Sequence, residues 1–456
     1  MLEQHSMELL SLEKIQSLWA GYGHICQIKA RVTSSNASSS SNANSAVTDI
    51  INVKDKEREK EKEEIIPLIL KLISPPPPPP NTTTTNQDEE DEGHLRKIFS
   101  YEVEQNFYRS IVPRLGADFP VARCIAAIRD DEGDGLMATL MTDLKSRYPV
   151  AVEGFLDERQ VGSALDWLAG FHRRSWDVML SLKDEDEEEM LLPPIEEVER
   201  RRRRRRGRRE KGKGKGKGRA GNVWLNGGYT YLATRRKEFA SLVNTTTTTT
   251  TSRSESESES GTETSTAAML LLCEPTRERP SCSIAEMVAR VLTPRKGRDC
   301  ETLIHGDVKS ENLFATHSGS EVAFYDFQYV GLGLGVCDLA KLFTCSVPVY
   351  MLVEQGQGEE EEEEEELDMQ EGERALLEYY RENLLRGTTD KKYSWDMFVR
   401  HWETALVDWF RFQASWGFWG NTEWLEARVR SILRDQDWIR WLVEEQDYID
   451  EENKEG

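Results

Sequence analysis

Residues 305–312 read HGDVKSEN, and the run VAFYDF follows at 322–327. The side chains here that could do chemistry are Asp307, Asn312 and Asp326. LFAT and VAFYD have strand composition, and HSGS between them is turn-like, which predicts an antiparallel hairpin. Asn312 stands just before the first strand and Asp326 ends the second. The hairpin therefore brings them to one end, with Asp307 one short loop away. Two carboxylates and an amide oxygen gathered there suit one or two Mg²⁺ ions, hard cations that take oxygen ligands and are often held by few protein groups plus phosphate oxygens. Either motif alone would be equally well served by a turn or a strand end.

The elements that must position this hairpin come in a consistent order. IQSLWAGYGHICQIKAR reads as strand, Gly-containing turn and strand, and IIPLILKLI as a short apolar strand with one Lys, Lys71. SYEVEQNFYRSIVPRL has helical spacing, with Ser100 as the expected N-cap. RCIAAI and GLMATLMTDL are two further strands joined by RDDEGDG. Beyond them the pattern is mainly helical: VGSALDWLAGFHRRSW, SIAEMVARVL and most of 373–445, interrupted by the hairpin. A strand-rich part followed by a helix-rich part predicts an α+β molecule of two lobes with a cleft between them. The expected boundaries are 15–144 for the first lobe, 145–445 for the helical lobe and 446–456 for an acidic tail.

Five segments are too polar or repetitive to supply a core and read as disordered insertions: 33–64, 74–93, 183–221, 244–266 and 354–372. They carry much of the net charge of -23 in blocks, so the total says little about any one surface. The cysteines number seven and have no CxxC spacing, which argues against a disulfide framework or a zinc site and for reduced, mostly buried thiols. No apolar run is long enough to span a membrane, and the first residues lack the features of a signal peptide. The expectation is a soluble, cytoplasmic protein without a membrane partner; the basic run leaves a nuclear location open.

HGDVKSEN together with YDFQYVGLGLGVCDLAKLF resembles the aminoglycoside phosphotransferase and choline kinase-like superfamily, nearest its ecdysteroid-kinase-like (CHK kinase-like) eukaryotic branch. The spacing of Asp307 and Asn312 is shared with the protein-kinase catalytic loop, but Gly306 and the CDLAKLF run favour small-molecule kinases. The resemblance implies a protein-kinase-like two-lobed fold with ATP and Mg²⁺ as cofactors. It makes Asp307 the group that orients and deprotonates an acceptor hydroxyl, Asn312 and Asp326 the Mg²⁺ ligands, and Lys309 a further contact to the transferred phosphoryl group. Asp338 and His305 would brace the loop. In such a fold a strand Lys pairs with a helix Glu to hold the nucleotide phosphates. Lys71 is the Lys; of Glu102 and Glu104, Glu104 shares a helical face with Phe107, Tyr108 and Ile111 and is the expected partner, while Glu102 falls on the polar face. LMTDL at 140–144 is similar to the segment that links the lobes at the adenine. The phosphate-covering turn has only Gly21 and Gly23, and an insertion separates it from the Lys strand, a modest entropic cost for pairing. The resemblance covers roughly 15–32, 65–73, 95–180, 222–242, 284–350 and, loosely, 373–445.

Trp395, Trp402, Trp409 and Trp416 recur every seven residues and would line one side of a helix. They read as a core stripe, of which one or two, with Trp419, could reach an acceptor pocket. His172 has helical spacing with Leu165, Leu168 and Ala169 and reads as a buried support for the catalytic loop. The basic run 200–219 has no aromatic interleaving, so a solvated loop is preferred over a nucleic-acid patch. The function expected is ATP- and Mg²⁺-dependent transfer of the γ-phosphate to a hydroxyl of a small molecule. The alternatives are a catalytically weak nucleotide-binding pseudokinase scaffold, and nucleic-acid association through 200–219.

Overall fold

The computed structural model describes residues 1–18, 21–33, 65–76, 87–130, 135–186, 190–210, 223–252, 268–277, 279–295, 297–353, 366–388 and 392–455. The first lobe is an antiparallel sheet of β1 (Met7–Ser17), β2 (Gly23–Val32), β3 (Ile65–Ile73), β4 (Cys124–Arg129) and β5 (Met137–Thr142), in the order β1-β2-β3-β5-β4. β3 pairs with β2 and β5 on its two sides, so Lys71 lies opposite both Ile25 and Thr139. Alternation along β3 puts Ile66 and Leu68 into an apolar cluster with Ile28, Ala30 and Leu140. Lys71 and Ile73 point to the other face, where Ile73 packs with Tyr22 and Tyr101. That face is covered by α1 (Gln87–Asn106), which runs on through a π-helical turn, Phe107–Ile111, and a short 3-10 turn that ends at Arg114.

The helical lobe begins with α2 (Glu158–Asp186) and α3 (Pro194–Glu210), followed by α4 (Arg236–Ser252) and α5 (Ile284–Leu292). Ser283 caps α5 with a complete capping box to Glu286, as SIAE before an apolar run leads one to expect. Strands β7 (Glu301–Ile304) and β10 (Gly331–Leu334) pair with each other, and β6 (Val150–Ala151), β8 (Leu313–Ala315) and β9 (Val322–Phe324) form a small antiparallel sheet. The chain then continues through α6 (Val336–Cys345), α7 (Glu371–Leu385), α8 (Trp395–Trp416), α9 (Thr422–Arg434) and α10 (Gln436–Glu455). The architecture is the α+β, two-lobed, kinase-like fold that the sequence pattern implied.

Several local expectations are corrected. The first strand of the sheet already begins at Met7, ahead of the expected lobe boundary at residue 15. The helix expected to be capped by Ser100 begins at Gln87, and the Ser100 hydroxyl instead donates to Lys97 O (2.8 Å) and Gln328 Oε1 (3.2 Å) within and beside the helix. Part of 183–221 is built in: Met190 and Leu191 are buried, Leu191 N donates to Val223 O (2.9 Å), and α3 follows. Helices also reach into 74–93, 183–221, 244–266 and 354–372, while 34–64, 77–86, 187–189, 211–222, 253–267 and 354–365 lie outside the described residues. The acidic tail is the last turns of α10, where Ile449 is buried and the Asp450 carboxylate is shared by Arg279 and Arg290. All seven cysteines are free, though only Cys26 is fully buried. Among the described residues no helix is long and apolar enough to cross a membrane.

Of the Trp series on α8, Trp402 and Trp409 are buried, Trp395 packs partly against the core, and Trp416 is 59% exposed. A period of seven drifts slowly around a helix of 3.6 residues per turn, so the stripe leaves the core at its C-terminal end.

Candidate active site

The loop after β7 owes its shape to Gly306 and Asp338. Gly306 has φ +84°, and a Cβ there would come within 2.4 Å of Tyr329 O and 2.7 Å of Gly228 N, so only glycine fits. Asp338, in the first turn of α6, is completely buried. Its Oδ2 accepts from His305 N (2.6 Å) and its Oδ1 from Gly306 N (2.9 Å), while His172 Nε2 lies 3.2 Å from Oδ2. Burial alone would raise this carboxyl; its hydrogen bond to His172 and the nearby Lys341 ammonium hold it below its ordinary value. Lys341 Nζ, one helical turn on, donates to Gly306 O (2.5 Å). His172 is itself fixed by Tyr380 OH (2.6 Å) from α7.

His305 sets the next residue. Asp307 N donates to His305 Nδ1 (3.2 Å), which leaves Nε2 to donate to Tyr325 O (2.9 Å). Burial lowers the imidazole pKa, in keeping with that neutral tautomer. Asp307 and Asn312 then meet across the short turn Ser310–Asn312: Asn312 Nδ2 donates to Asp307 O (2.8 Å) and Oδ2 (2.9 Å). Both amide hydrogens are used in this way, so Oδ1 is the atom left open to a cation. Lys309 Nζ lies 3.4 Å from Asp307 Oδ2.

Asp326 follows β9 with φ +67°, a left-handed conformation that a non-glycine residue holds only under constraint. The constraint is Phe327, which is fully buried, stacks on Phe107 (centroids 4.0 Å apart) and touches the His305 ring (4.5 Å). Phe107 lies one turn after Glu104 on the same helix, so α1, the loop and Asp326 are keyed to one another through three rings. Sequence reasoning missed this keying, although an aromatic residue directly after the candidate metal ligand and another three positions after Glu104 were the signal for it.

The two lobes meet at Lys71. Its Nζ contacts Glu104 Oε2 (2.5 Å) and Asp326 Oδ1 (3.2 Å), with the Tyr101 ring beside it (5.4 Å). Burial alone would lower the ammonium pKa, but the carboxylates of Asp326 and Glu104 more than offset it and keep Lys71 charged. Glu102 is not solvated on a polar face as expected. It is buried and paired with Arg129 (2.8 Å) and with Arg201 of α3 (2.9 Å). The start of the basic run is thus a support of α1, its Arg201 also lying over the Phe99 ring (4.4 Å).

Gly21 (φ +76°) and Gly23 (φ +145°) flank the β1–β2 turn, whose residues 19 and 20 lie outside the described residues. A Cβ on Gly23 would come within 2.0 Å of Leu72 O, so this glycine is required by the approach of β3. Tyr22 between them bonds His94 of α1 (2.5 Å) and accepts from Ser74 N (2.8 Å), which ties the turn to the Lys71 strand. At 140–144, β5 ends and Asp143 caps the turn Leu144–Ser146 while accepting from Gln27 Nε2 (3.0 Å).

Among the described residues no group of three or more His, Cys, Asp or Glu could hold a metal ion by itself. Asp326 and the Asn312 amide oxygen nevertheless fit Mg²⁺, which takes few protein ligands and completes its shell with phosphate oxygens and water. Lys71 against Asp326 shows that this carboxylate already holds positive charge.

Comparison with curated proteins gives no match. Among solved structures, the chain is similar to an aminoglycoside 2′-phosphotransferase in complex with GDP (12% identity, 98% of this chain and 94% of that one, TM-score 0.38). It is also similar to an amicoumacin kinase in complex with AMP-PNP, Ca²⁺ and Ami (11%, 95% and 92%, TM-score 0.35). A third is an ethanolamine kinase of Plasmodium vivax (10%, 95% and 84%, TM-score 0.33). These overlaps are loose, and none of the chemistry above rests on them. Residues 268–376, the stretch that contains Asp307, Asn312, Asp326 and Asp338, match the model of the phosphotransferase enzyme family known as APH.

Proposed function

We propose that this protein is an ATP- and Mg²⁺-dependent phosphotransferase that moves the γ-phosphate to a hydroxyl of a small molecule. The observation that carries the reading is the convergence of Lys71, Glu104, Asp307, Asn312 and Asp326 from separate elements of both lobes, with Lys71 bonded to a carboxylate 255 positions away. The family match over 268–376 supports the same reading.

In this reading Lys71, held by Glu104, binds the nucleotide phosphates, and Asn312 Oδ1 with Asp326 holds Mg²⁺, which neutralises phosphate charge. Asp307 accepts the proton of the acceptor hydroxyl; its carboxylate is oriented by the Asn312 amide and Lys309. Lys309 lies close enough to meet the phosphoryl group as it transfers. Gly21 and Gly23 cover the phosphates, and 140–144 meets the base. Such a reaction depends on positioning and charge neutralisation, which rigidly braced groups supply.

Thermal unfolding with ATP, with and without Mg²⁺, tests this reading on the wild type and on Asp326→Ala. A Mg²⁺-dependent stabilisation that is lost in the variant is expected. Asp307→Ala should keep that stabilisation and lose acceptor-dependent ADP release. Absence of any shift in the wild type would turn the reading toward a protein scaffold without nucleotide chemistry.

A further inference from the structure

Beside Asp307 the chain builds an aromatic enclosure and fills it with its own cation. Gly228 N donates to Tyr329 O (2.9 Å), and its Cα lies against Gly306, which places Tyr229 at the catalytic loop. The Tyr229 ring packs on Tyr329 (4.8 Å) and on Phe412 of α8 (5.6 Å). Burial, and then the nearby Asp307 carboxylate, push the Tyr229 hydroxyl up from its ordinary value, in keeping with this proximity. The Arg235 guanidinium lies over three rings of the enclosure: Trp416 (4.9 Å), Phe412 (5.4 Å) and Tyr229 (5.6 Å). It is 5% exposed and donates from Nε to Tyr229 O (2.9 Å) and from Nη1 to Glu238 Oε1 (2.9 Å). The rim is apolar and open at Trp416, which is 59% exposed.

We propose that this arrangement sets the charge class of the acceptor: the enclosure beside Asp307 takes an uncharged alcohol with a flat or apolar body and rejects cationic alcohols. The proposal rests on the phosphotransferase reading in one respect, that Asp307 marks the acceptor end of the cleft. Aromatic faces attract ammonium groups, but here Arg235 already occupies them, so an arriving cation meets like charge where it would otherwise be held. Lys341, 5.7 Å from the Tyr229 ring centre and 5.8 Å from that of Trp409, adds to the repulsion. The carboxylates that touch the enclosure offer no relief. Glu238 is paired with Arg235, and Asp408 with the buried Arg411 (2.8 Å). An anionic acceptor gains no compensating site, because Arg235 is already engaged by Glu238 and the Asp307 carboxylate stands at the acceptor end of the cleft. What remains attractive is apolar contact with the Trp416 rim.

The test uses the full chain and two isosteric alcohols, a hydroxyethyl naphthalene and the matching N-hydroxyethyl quinolinium, which differ in charge. Binding is followed by ligand-observed NMR, which needs no turnover. The wild type should prefer the neutral alcohol by about tenfold or more. Arg235→Gln should abolish or reverse that preference, whereas Arg235→Lys, which keeps a cation on the rings, should retain it. Equal or tighter binding of the quinolinium by the wild type overturns the proposal, as does failure of the neutral alcohol to bind. A preference unchanged in a folded Arg235→Gln variant overturns it too. Acceptor-dependent ADP release separates the two ideas. Selective binding without transfer upholds charge selection and removes the phosphotransferase reading, whereas transfer to both alcohols at equal rates does the reverse.

Discussion

Replacing Asp338 by Asn is expected to destabilise the helical lobe and to disable the catalytic loop at the same time. The carboxylate is wholly buried and serves three donors, His305 N at 2.6 Å, Gly306 N at 2.9 Å and His172 Nε2 at 3.2 Å. An amide has the same shape but places an NH₂ where one oxygen accepted, so at least one donor is left facing another donor. A hydrogen bond to a charged group contributes about 1.5–3 kcal/mol, and an unsatisfied buried donor costs about 1–3 kcal/mol. These terms overlap, so a loss of about 3 kcal/mol is the working figure. Equilibrium urea unfolding, read by fluorescence of the buried Trp402 and Trp409 in the same lobe, measures it. Asp437→Asn is the control: its pair with Arg440 is mostly exposed and should matter by about 0.5 kcal/mol or less. Mg²⁺-ATP binding, for which Lys71 and Glu104 lie in the other lobe, should fall less in Asp338→Asn than phosphoryl transfer does. A stability change no larger than the control's, with transfer intact, would refute the idea that Asp338 holds the loop.

Four further outcomes are expected. Glu104→Gln should weaken Mg²⁺-ATP binding about tenfold by loosening Lys71, measured by calorimetry. Glu102→Gln, two positions away but paired with Arg129 and Arg201, should lower stability and leave that affinity nearly unchanged. Glu373 is buried, accepts from Trp402 Nε1 (2.8 Å) and pairs with Arg428 (2.9 Å); Glu373→Ala should cost about 3–5 kcal/mol in urea unfolding, since it strands a buried guanidinium. Burial, reinforced by Arg298 and Arg295, lowers His401 to about 3. The folded state therefore excludes a proton that the unfolded chain accepts. Its contribution is fully present above the ordinary imidazole pKa near 6.5 and is lost as pH falls toward 3, at about 1.4 kcal/mol per pH unit. His401→Gln should flatten the stability profile across that window.

What the sequence by itself determined is local. Alternation in IIPLILKLI is enough to set Lys71 on the face opposite Leu68, because side chains along a strand change sides at every residue. The spacing of Asp307 and Asn312, and the turn-like HSGS between two strand-like runs, already confine Asp326 to the end of the hairpin where they meet. Gly306 and Asp338 were legible as a loop and its brace through family resemblance, and His172 through its helical position. The misreadings arose where partners come from afar. Ser100 looked like a cap because the charged residues before it gave no apolar period, yet the helix starts at Gln87. Glu102 and Arg201 each looked solvated, since a charge in a polar run gives no sign of its partner 99 positions away. Met190 and Leu191 were hidden between charged blocks. Only the tertiary structure decided that Lys71 reaches Asp326 and that Phe107 stacks on Phe327. It alone put Arg235 over the ring of Trp416, the last of a Trp series whose spacing read mainly as a core stripe. The physical reason is that hydrophobic periodicity records which face is buried, whereas the choice of partner on that face is made by the packing of the whole chain.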